Sequence, residues 1–569
     1  MNRKQNDTSK PGQHKAISRR EFIKDGTAAG IGAAALTCLG ADPAGAQTDQ
    51  SPIEWDLEAD VVVVGAGAAG LPAAIAAVDH GASTLLVEAH FDIGGQAIIS
   101  GGFIHIGGGN RLQKQYKIND SPDLVFTDWT RADNPESRFN DRTLVRAFAD
   151  ESVSTFDFLE TNGVEFLDSV IGPMFASTVP RQVPAKPWPI ATERVLGSES
   201  GNGGSGLMRA LERSARKKGV KILLKHKMSN IIRQSATTGK VLGITAVEVD
   251  EWFQPTSRVV NIRAKKGLIL ATGGHAANVS FRRIFDPRLT EEYQAAGQQL
   301  ALRNADGVLA GLSVGGSLWG AACQVTQGDQ LTVSRGLLGC RHSAGPVYFS
   351  PDSPVFFRSG ATGFDIQDWQ NAILVKETGS RFYDETASRN DQGYLNAAMS
   401  WSGDPAKLDG GGPIWAIFDK SAAIREKLRL EPPTIEPDYF FSADTIEELA
   451  AKISRNPYQW RTMTGTNLRQ TVERYNTIVE QGKDDDFGKP SPLHKIVEAP
   501  FYAAWATHIC HDTHAGLRIN QQTEVIDLQG NVIPGLYSAG ETAGGFALHG
   551  LAKCIVFGRI AGRSAALQT

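Results

Sequence analysis

The amino-acid sequence predicts an α/β fold whose largest part is a Rossmann-like dinucleotide-binding domain. Three features support this prediction: a short β-branched run, a glycine-rich turn directly after it, and an alanine-rich helix that leads to a second apolar run. The first run, residues 61–64, consists of four valines, and a short continuous run of this kind is typical of a buried parallel strand. In a chain of 569 residues, such a unit leaves room for at least one further domain.

The turn after this strand has the spacing G-x-G-x-x-G in a strand–turn–helix context. It reads Gly65-Ala66-Gly67-Ala68-Ala69-Gly70. We expect Gly65 to allow the tight turn, Gly67 to let the backbone approach a pyrophosphate, and Gly70 to allow close helix–strand contact. The helix predicted at residues 71–80 would present free N–H groups and its positive dipole end to the phosphates.

A second predicted strand, residues 84–87, ends in Glu88, which follows the last glycine of the turn by 18 residues. A carboxylate at this position is the expected partner of the ribose hydroxyls of a dinucleotide. The alternative is a glycine-rich turn with a purely structural role. Because strand, turn, helix and acidic residue occur together, the sequence predicts dinucleotide binding.

Composition excludes several other classes of protein. The 58 basic and 62 acidic residues give a formal net charge of −4, which offers no electrostatic attraction for nucleic acid, so no nucleic-acid partner is expected. Hydrophobic residues at 41% and charged residues at 21% are typical of a globular protein rather than a disordered chain. No run of 18 or more apolar residues occurs, so we predict no transmembrane anchor.

Residues 1–46 are predicted to be a removable export signal. Residues 18–24 read S-R-R-E-F-I-K, an alanine- and glycine-rich stretch follows, and Ala44-Gly45-Ala46 forms a small-residue cleavage site. This pattern resembles the twin-arginine export signal, and the resemblance implies a periplasmic protein exported after folding with its cofactor bound. The alternative is a short amphipathic helix with an incidental arginine pair.

Glycine-rich segments elsewhere in the chain indicate which dinucleotide is bound. They are Gly94-Gly95-Gln96, Ser100-Gly101-Gly102, Ala271-Thr272-Gly273-Gly274, Gly540-Glu541 and Gly550-Leu551. Through these segments the chain resembles the fumarate reductase/succinate dehydrogenase flavoprotein superfamily, which includes the 3-ketosteroid dehydrogenases. The resemblance implies FAD as cofactor, with Glu541 near its ribityl chain and the backbone of Gly550 and Leu551 facing the flavin ring. The residues predicted to bind FAD are Gly65, Gly67, Ala68, Ala69, Gly70, Glu88, Gly94, Gly95, Gln96, Ser100, Gly101, Gly102, Ala271, Thr272, Gly273, Gly540, Glu541, Gly550 and Leu551.

The resemblance also implies a discontinuous FAD-binding domain with an inserted α+β capping domain. The FAD-binding domain would comprise residues 52–315 and 504–569, and the cap residues 316–503. Amphipathic patterns predict cap helices at 445–454 and 467–480. A glycine-rich stretch, residues 201–206, is expected to form a loop before a helix at 207–218. A cap above a flavin would exclude water from the reacting atoms.

The catalytic candidates come from two further segments of the superfamily. A "GxRFxxE" segment, residues 379–385, places Arg381 where the resemblance implies a proton-handling arginine, with Asp384 or Glu385 as its partner. The alternative is a structural Arg–Glu pair in the cap. Tyr383 is a second candidate, with Tyr502, because the ketosteroid branch uses tyrosines for proton abstraction.

Substrate binding, and a catalytic role for His511, are assigned to an "H-x-T" segment that here reads His511-Asp512-Thr513-His514. The resemblance implies that His511 and Thr513 contact the substrate, and His549 is added because it directly precedes the last helix. The spacing of the histidines at 508, 511 and 514 also permits a metal site, but along a strand the middle histidine faces the opposite side. A structural role is the remaining alternative, and no metal is predicted.

Two departures from the superfamily bear on the substrate. Residues 544–550 contain no arginine, and residues 320–325 contain no histidine, so two expected carboxylate ligands are missing. We therefore expect a more apolar pocket involving Phe546, Leu548 and Trp505. The predicted activity is hydride transfer between flavin N5 and a C–C bond next to a carbonyl, in a cyclic or apolar enone or ketone.

Three alternatives remain open: reduction of an unsaturated carboxylate, as by fumarate reductase, oxidation of an alcohol or amine, and a non-catalytic flavoprotein. The partners expected are a small-molecule substrate and a separate electron donor or acceptor, such as a cytochrome, a quinone or oxygen. The direction of the reaction is left open.

Overall fold

A computed structural model describes residues 53–134, 137–189, 203–295, 297, 301–320, 331–335, 337–341, 361–387, 397–398 and 411–568, without the side chains of residues 331–335 and 511. The predicted export signal, residues 1–46, therefore lies outside the described residues. From Glu54 onward the chain forms one compact unit.

An eight-stranded sheet forms the centre of this unit. Its strands run in the order β18-β19-β8-β1-β2-β5, and β6 and β7 extend it as an antiparallel meander on β8. Strands β19, β8, β1, β2 and β5 are parallel, as expected for apolar runs buried on both faces. The strands are β1 (Leu57–Val64), β2 (Thr84–Val87), β5 (Lys221–Leu223), β6 (His226–Arg233), β7 (Val241–Val249), β8 (Pro255–Leu270), β18 (Glu524–Ile526) and β19 (Val532–Ser538).

Helices pack against this sheet through glycine and alanine contacts. Helix α1 (Gly70–Asp79) and the last helix, α11 (Leu551–Leu567), lie side by side. A Cβ on Gly558 would lie 2.2 Å from Ala69 O, and one on Gly562 would lie 2.0 Å from Ala73 O. Because both obstacles are backbone atoms, this close approach requires glycine. The other helices of this part are α2 (Arg111–Gln115), α3 (Pro122–Asp128), α4 (Arg142–Thr161), α5 (Gly203–Lys217), α6 (Val279–Phe285) and α7 (Asp306–Ser313).

The glycine-rich stretch before α5 differs from the prediction. Residues 201–202 lie outside the described residues, but residues 203–206 form the first turn of the helix rather than a loop. A Cβ on Gly204 would lie 2.2 Å from Ala97 O, and one on Gly206 would lie 1.9 Å from Lys186 O. The glycines therefore let α5 contact the neighbouring backbone, and the prediction of a loop is wrong for residues 203–206.

A four-stranded antiparallel sheet is formed by the segment predicted to be the cap, and its strand β15 continues to Trp505, two residues past the predicted boundary. Its order is β12-β13-β15-β14, and its strands are β12 (Ile373–Val375), β13 (Trp415–Asp419), β14 (Phe440–Ala443) and β15 (Phe501–Trp505). Helices α8 (Lys420–Arg425), α9 (Ile446–Ile453) and α10 (Gly465–Gln481) accompany it, and the last two coincide with the predicted amphipathic helices. This part has two hydrophobic cores of its own, separate from the large core around β1. The domain boundaries remain a prediction.

Three small sheets complete the described strands. Strand β3 (Phe103–His105) pairs with β4 (Gln182–Pro184), and β10 (Leu318–Trp319) pairs with β17 (Gly516–Leu517). Strand β16 (His508–Thr513) lies between β9 (Gln294–Ala295) and β11 (Leu331–Arg335). Among the described helices, none is long and apolar enough to cross a membrane.

Candidate active site

The predicted FAD-binding segments converge at the carboxyl ends of four parallel strands. Gly65 follows β1, Glu88 follows β2, Ala271 follows β8 and Gly540 follows β19 by two residues. Backbone hydrogen bonds continue the sheet into these segments: Gly65 N donates to Val87 O at 2.8 Å. Ligands of open parallel sheets bind at this edge, outside the carboxyl ends of the strands.

The three glycines of the G-x-G-x-x-G turn have different surroundings. Gly65 has φ +101°, and a Cβ there would lie 2.3 Å from Ala271 O. A Cβ on Gly70 would lie 1.7 Å from Gly65 O. A Cβ on Gly67 would find only Gly94 O, at 4.0 Å, and otherwise open space. The first and third glycines are thus needed for packing, and the second borders space that a phosphate could occupy.

The first turn of α1 is open to an anion. Its N-cap is Ala69, which has no side-chain oxygen, so no side chain caps the helix. Beside it, Glu88 accepts hydrogen bonds from Ala66 N at 2.6 Å and His90 N at 2.8 Å, which fix the carboxylate next to the turn. Burial raises the pKa of Glu88, an effect that these hydrogen bonds oppose. The uncapped N–H groups and the fixed carboxylate match what a dinucleotide requires.

The segment after β2 contributes a polar atom without a partner. Gly94 and Gly95 have positive φ values of 109° and 49°, and Gln96 follows in a short 3₁₀ helix. Gln96 Oε1 is buried with no hydrogen-bond partner among the described residues. Ser100 instead uses its hydroxyl within the loop, donating to Ala97 O at 2.7 Å and accepting from Gly102 N at 3.3 Å.

Two more buried oxygens without partners in the described part of the chain meet at Gly274, the last residue of the A-T-G-G segment. A Cβ on Gly274 would lie 2.0 Å from Thr513 Oγ1 and 2.7 Å from Glu541 Oε2. The preceding Thr272 and Gly273 are held by hydrogen bonds: Thr272 Oγ1 accepts from Gly307 N at 3.0 Å, and Gly273 O accepts from Thr542 Oγ1 at 3.0 Å. Buried polar atoms are rarely left without partners, so these oxygens fit a site for a hydroxyl-bearing cofactor such as FAD.

A cluster of ionisable side chains surrounds these oxygens. Asp512 Oδ2 contacts His549 Nδ1 as an ion pair, and Asp512 also shares a hydrogen bond with Glu541. Lys553, in the first turn of α11, donates from Nζ to His514 Nδ1 at 3.2 Å. Asp512, His514 and Lys553 are almost completely buried. Sequence reasoning did not assign Asp512 or Lys553, although an acidic residue between two histidines and a lysine in an apolar helix start were visible signals.

The cluster shifts the protonation of its members in opposite directions. Burial raises the pKa of Glu541 to about 7, and the charge of Asp512 adds to this. Burial alone would lower the pKa of His549, but the charge and hydrogen bond of Asp512 outweigh it and hold this pKa above its usual value. Burial, together with Lys553, lowers the pKa of His514. Asp512 therefore favours the protonated form of His549, whereas His514 is neutral at neutral pH.

His549 lies beside open space at the start of α11. Its side chain is 35% exposed, and a Cβ on the adjacent Gly550 would find no atom within 4 Å. Gly550 is the N-cap of α11 and supplies no side-chain cap, so the first N–H groups of the helix also remain for a ligand. Since Asp512 holds Nδ1, any contact between this ring and a substrate would involve the second ring nitrogen, Nε2.

Arg381 occupies a different place, within the predicted cap. Its guanidinium donates to both carboxylate oxygens of Glu385, at 2.7 and 2.9 Å, and pairs with Asp484 at 2.7 Å. Burial would lower the pKa of Arg381, but these two carboxylates raise it further above its usual value. The cavity beside it, about 300 Å³, is lined by Ser380, Arg381, Gln470, Thr471, Arg474, Tyr475, Ile478, Asp486 and Phe487, all from the predicted cap. These contacts favour the structural alternative, and a proton-handling role for Arg381 remains only a prediction.

The remaining catalytic candidates, Tyr383, Tyr502 and His511, receive no further support. Tyr383 is stacked on Phe382 with ring centroids 6.4 Å apart and packs against a core of the predicted cap. Tyr502 packs against the same core, between Phe418 and Phe440. The backbone of His511 lies in β16, while its side chain is outside the described part of the structure. Its predicted role stays a prediction.

The expectation of an apolar pocket formed by Phe546, Leu548 and Trp505 is wrong. All three side chains are buried, with 3%, 0% and 2% exposure. Phe546 and Leu548 belong to the large core around β1, and Trp505 belongs to a core of the predicted cap. Side chains that are enclosed in a core offer no surface to a cavity. Among the described residues, no group of three or more His, Cys, Asp or Glu side chains is placed to hold a metal ion.

The fold and this cluster define a flavoprotein oxidoreductase. Its predicted FAD cradle is formed by the G-x-G-x-x-G turn, Glu88 and the segments that follow β8 and β19, at the edge of the parallel sheet. The chain belongs to the FAD binding domain family, which matches residues 60–552. A relative named fumarate reductase (cytochrome), from Shewanella frigidimarina, is 28% identical over 515 residues, covering 89% of this chain and 77% of its own length. The predicted α/β fold, the FAD cofactor and the oxidoreductase class are thereby confirmed.

Two solved structures are similar over nine-tenths of the chain. One is the open conformation of a flavocytochrome c3 fumarate reductase, with 25% identity and a TM-score of 0.64, covering 90% of this chain and 78% of that one. The other is a 3-ketosteroid-Δ4-(5α)-dehydrogenase from Rhodococcus jostii RHA1, with 26% identity and a TM-score of 0.55, covering 91% of this chain and 99% of that one. Both branches of the superfamily suggested by the sequence motifs are thus represented.

Proposed function

We propose that this protein reduces a carbon–carbon double bond conjugated to a carbonyl group, or forms that bond in the reverse reaction. The observation that carries the proposal is the His549–Asp512 pair, which lies beside open space at the uncapped start of α11. FAD, when bound, supplies or accepts a hydride. The similar proteins support this chemistry, because fumarate and 3-ketosteroids both carry the reacting C–C bond next to a carbonyl group.

In the reductive direction, His549 would provide the proton that accompanies the hydride. The hydride adds to the β-carbon, and His549 gives its Nε2 proton to the α-carbon, so the double bond becomes a single bond with two new C–H bonds. Asp512 holds the ring in place through Nδ1 and stabilises its charged form. Because 35% of the His549 side chain is exposed, it can regain its proton from solvent. His549 thus replaces Arg381 as our preferred proton donor.

A second candidate, reduction of an unsaturated carboxylate, is favoured by the polarity of the same site. A protonated His549 and the hydroxyl of Thr513, which is buried without a hydrogen-bond partner among the described residues, could both contact a carboxylate. The absence of an arginine from residues 544–550 opposes this candidate, since bidentate arginine pairing is the common way to select such a group. His511, Thr513 and His549 remain the proposed substrate-binding residues.

Electrons would come from, or pass to, a separate partner. The motif at residues 18–24 supports a periplasmic location. The relative named fumarate reductase (cytochrome) supports a cytochrome as the partner, with a quinone or oxygen as the alternatives.

The function is tested by reducing the holoenzyme anaerobically with dithionite and mixing it with enones, unsaturated carboxylates and their saturated counterparts. We expect at least one conjugated alkene to reoxidise the flavin, and the rate to fall as pH rises through the raised pKa of His549. His549→Gln should slow reoxidation by about 10²-fold and remove this pH dependence, because the donor proton is gone. His80→Gln, at an exposed position after α1, is the control. A flavin spectrum that no member of the panel changes, in either oxidation state, would rule the function out.

A further inference from the structure

We infer that Phe175 is a specificity-determining residue, and that it selects a substrate whose double bond is conjugated to an aromatic ring. This inference rests on the proposed function and names the substrate class of the same site. The Phe175 ring lies against the ring of His549, with centroids 5.5 Å apart and an interplanar angle of 43°. Phe175 is 36% exposed, so part of its apolar surface remains open.

The backbone of Phe175 indicates that this position is imposed by its surroundings. Its φ is +56°, a left-handed conformation that is unusual for a bulky side chain. Residues held in such conformations cluster at ligand sites, where the neighbouring structure forces them. On its other side, the ring makes an edge contact with the buried His105, with centroids 5.3 Å apart.

A buried polar network holds the segment that follows Phe175. Ser177 Oγ hydrogen-bonds with His105 Nε2 at 2.6 Å and accepts from Arg181 Nη1 at 3.2 Å. Arg181 pairs with Asp120 at 2.8 Å and with Asp128 at 2.6 Å, and all three side chains are at most 1% exposed. Breaking such buried pairs leaves uncompensated charge, so the segment cannot relax easily. This buried network therefore holds the Phe175 ring rigidly beside His549.

The aromatic ring of Phe175 favours a substrate that carries a flat conjugated ring. Aromatic rings attract one another at centroid separations of about 4.5–7 Å, in stacked or edge-on arrangements. A phenyl group on the β-carbon could lie along Phe175 while the α-carbon faces His549. A methyl group in the same place would leave most of the Phe175 ring in contact with water. The polar cluster of His549 and Asp512 would then lie next to the carbonyl end.

Phe253 offers a matched control. It also has a left-handed backbone, with φ +60°, and its ring lies 5.8 Å from that of a histidine, His90. It stands in the turn between β7 and β8. Phe253→Leu therefore removes an aromatic contact with a histidine, as Phe175→Leu does, and from a backbone of similar φ. The histidine that loses its contact is His90 rather than His549.

The experiment compares two matched pairs of substrates on dithionite-reduced holoenzyme: cinnamate with crotonate, and 4-phenyl-3-buten-2-one with 3-penten-2-one. The readout is the ratio of kcat/KM for the phenyl and methyl member of each pair. We expect the wild-type protein to prefer the phenyl member of the pair it accepts, and Phe175→Leu to lower this ratio by about tenfold. Phe175→Tyr, which keeps the ring, should retain the ratio, and Phe253→Leu should leave it unchanged.

The outcomes separate this inference from the proposed function. If Phe175→Leu lowers both rates equally, or if wild type prefers the methyl members, the inference about Phe175 is wrong while the function stands. If none of the four alkenes and no other conjugated alkene reoxidises the flavin, the proposed function itself fails. Should Phe175→Leu not fold, Phe175→Trp decides: a ratio that changes with the larger ring, while Phe175→Tyr retains the wild-type ratio, supports the inference, and a ratio unchanged in Phe175→Trp overturns it.

Discussion

Single glycines in the FAD cradle have separable roles because their missing Cβ atoms would meet different neighbours. Gly65 and Gly70 are required by backbone contacts within the protein, whereas Gly67 faces open space. The local motif was enough to predict this division, since the spacing of the three glycines is fixed by the turn itself. The His549–Asp512 pair was not predictable in this way, because it joins two segments that are distant along the chain and become neighbours only in the folded protein.

Gly67→Ala should therefore yield a folded protein that binds FAD poorly. The added methyl group finds no protein atom closer than 4.0 Å, so the apoprotein should unfold at the wild-type temperature. In the holoprotein the same methyl group would occupy the approach to the pyrophosphate, and we expect the Kd for FAD to rise by at least about tenfold, or about 1.4 kcal/mol. Fluorescence titration of the apoprotein with FAD measures this.

Gly81→Ala provides the opposite control. Its Cβ also meets no atom within 4 Å, but Gly81 has φ +82°, so alanine there should lower stability without weakening FAD binding. Wild-type affinity in the Gly67→Ala protein would show that this glycine does not face the cofactor.

The strands and helices that were predicted from local periodicity agree with the structure. The loop that was predicted from glycine content, at residues 203–206, does not. Strand β2 spans the predicted residues 84–87, and α10 (Gly465–Gln481) covers the predicted 467–480. The first turn of α5 was missed because glycine lowers helix propensity, whereas here it permits close backbone contact. A local pattern cannot distinguish a glycine that gives flexibility from one that makes room for a neighbour.

The FAD cradle depends on the close packing of α1 against α11. The substitution Gly562→Ala tests this dependence. The new Cβ would lie 2.0 Å from Ala73 O, a backbone atom that cannot move without shifting α1. We expect a loss of about 1–3 kcal/mol in the free energy of unfolding, with weaker FAD retention because α1 and α11 both begin at residues predicted to bind FAD. Thermal unfolding of the holoprotein, followed by flavin fluorescence, gives both quantities.

The control is Ser564→Ala, which changes a partly exposed residue of the same helix and should leave both measurements near wild type. Unchanged stability in Gly562→Ala would mean that the two helices can separate without cost, and that their close packing does not support the cradle.

For the whole molecule, the main question is which part handles the proton. The sequence motif assigned it to Arg381 in the predicted cap, whereas our proposal assigns it to His549, which pairs with Asp512 at the start of α11. Local resemblance found the arginine but not its partner Asp484, which lies more than a hundred residues later. A proton donor needs a pKa near the working pH, and the two carboxylates raise that of Arg381 instead.

Arg381→Met should accordingly reduce stability but not the chemistry. Removing the guanidinium leaves the buried carboxylates of Glu385 and Asp484 with Lys489 as their nearest remaining cation, 3.3 Å from Glu385, and such a loss costs about 3–5 kcal/mol. The folded, FAD-loaded fraction should retain wild-type kcat and the same pH profile, since His549 is untouched. Arg381→Lys, which keeps a positive charge, should recover part of the stability with the same kinetics. Thermal unfolding and stopped-flow reoxidation measure these effects, with turnover normalised to bound flavin. If instead Arg381→Lys unfolded at the wild-type temperature and had lost turnover, the proton would have to come from the cap, and His549 would be a substrate-binding residue only.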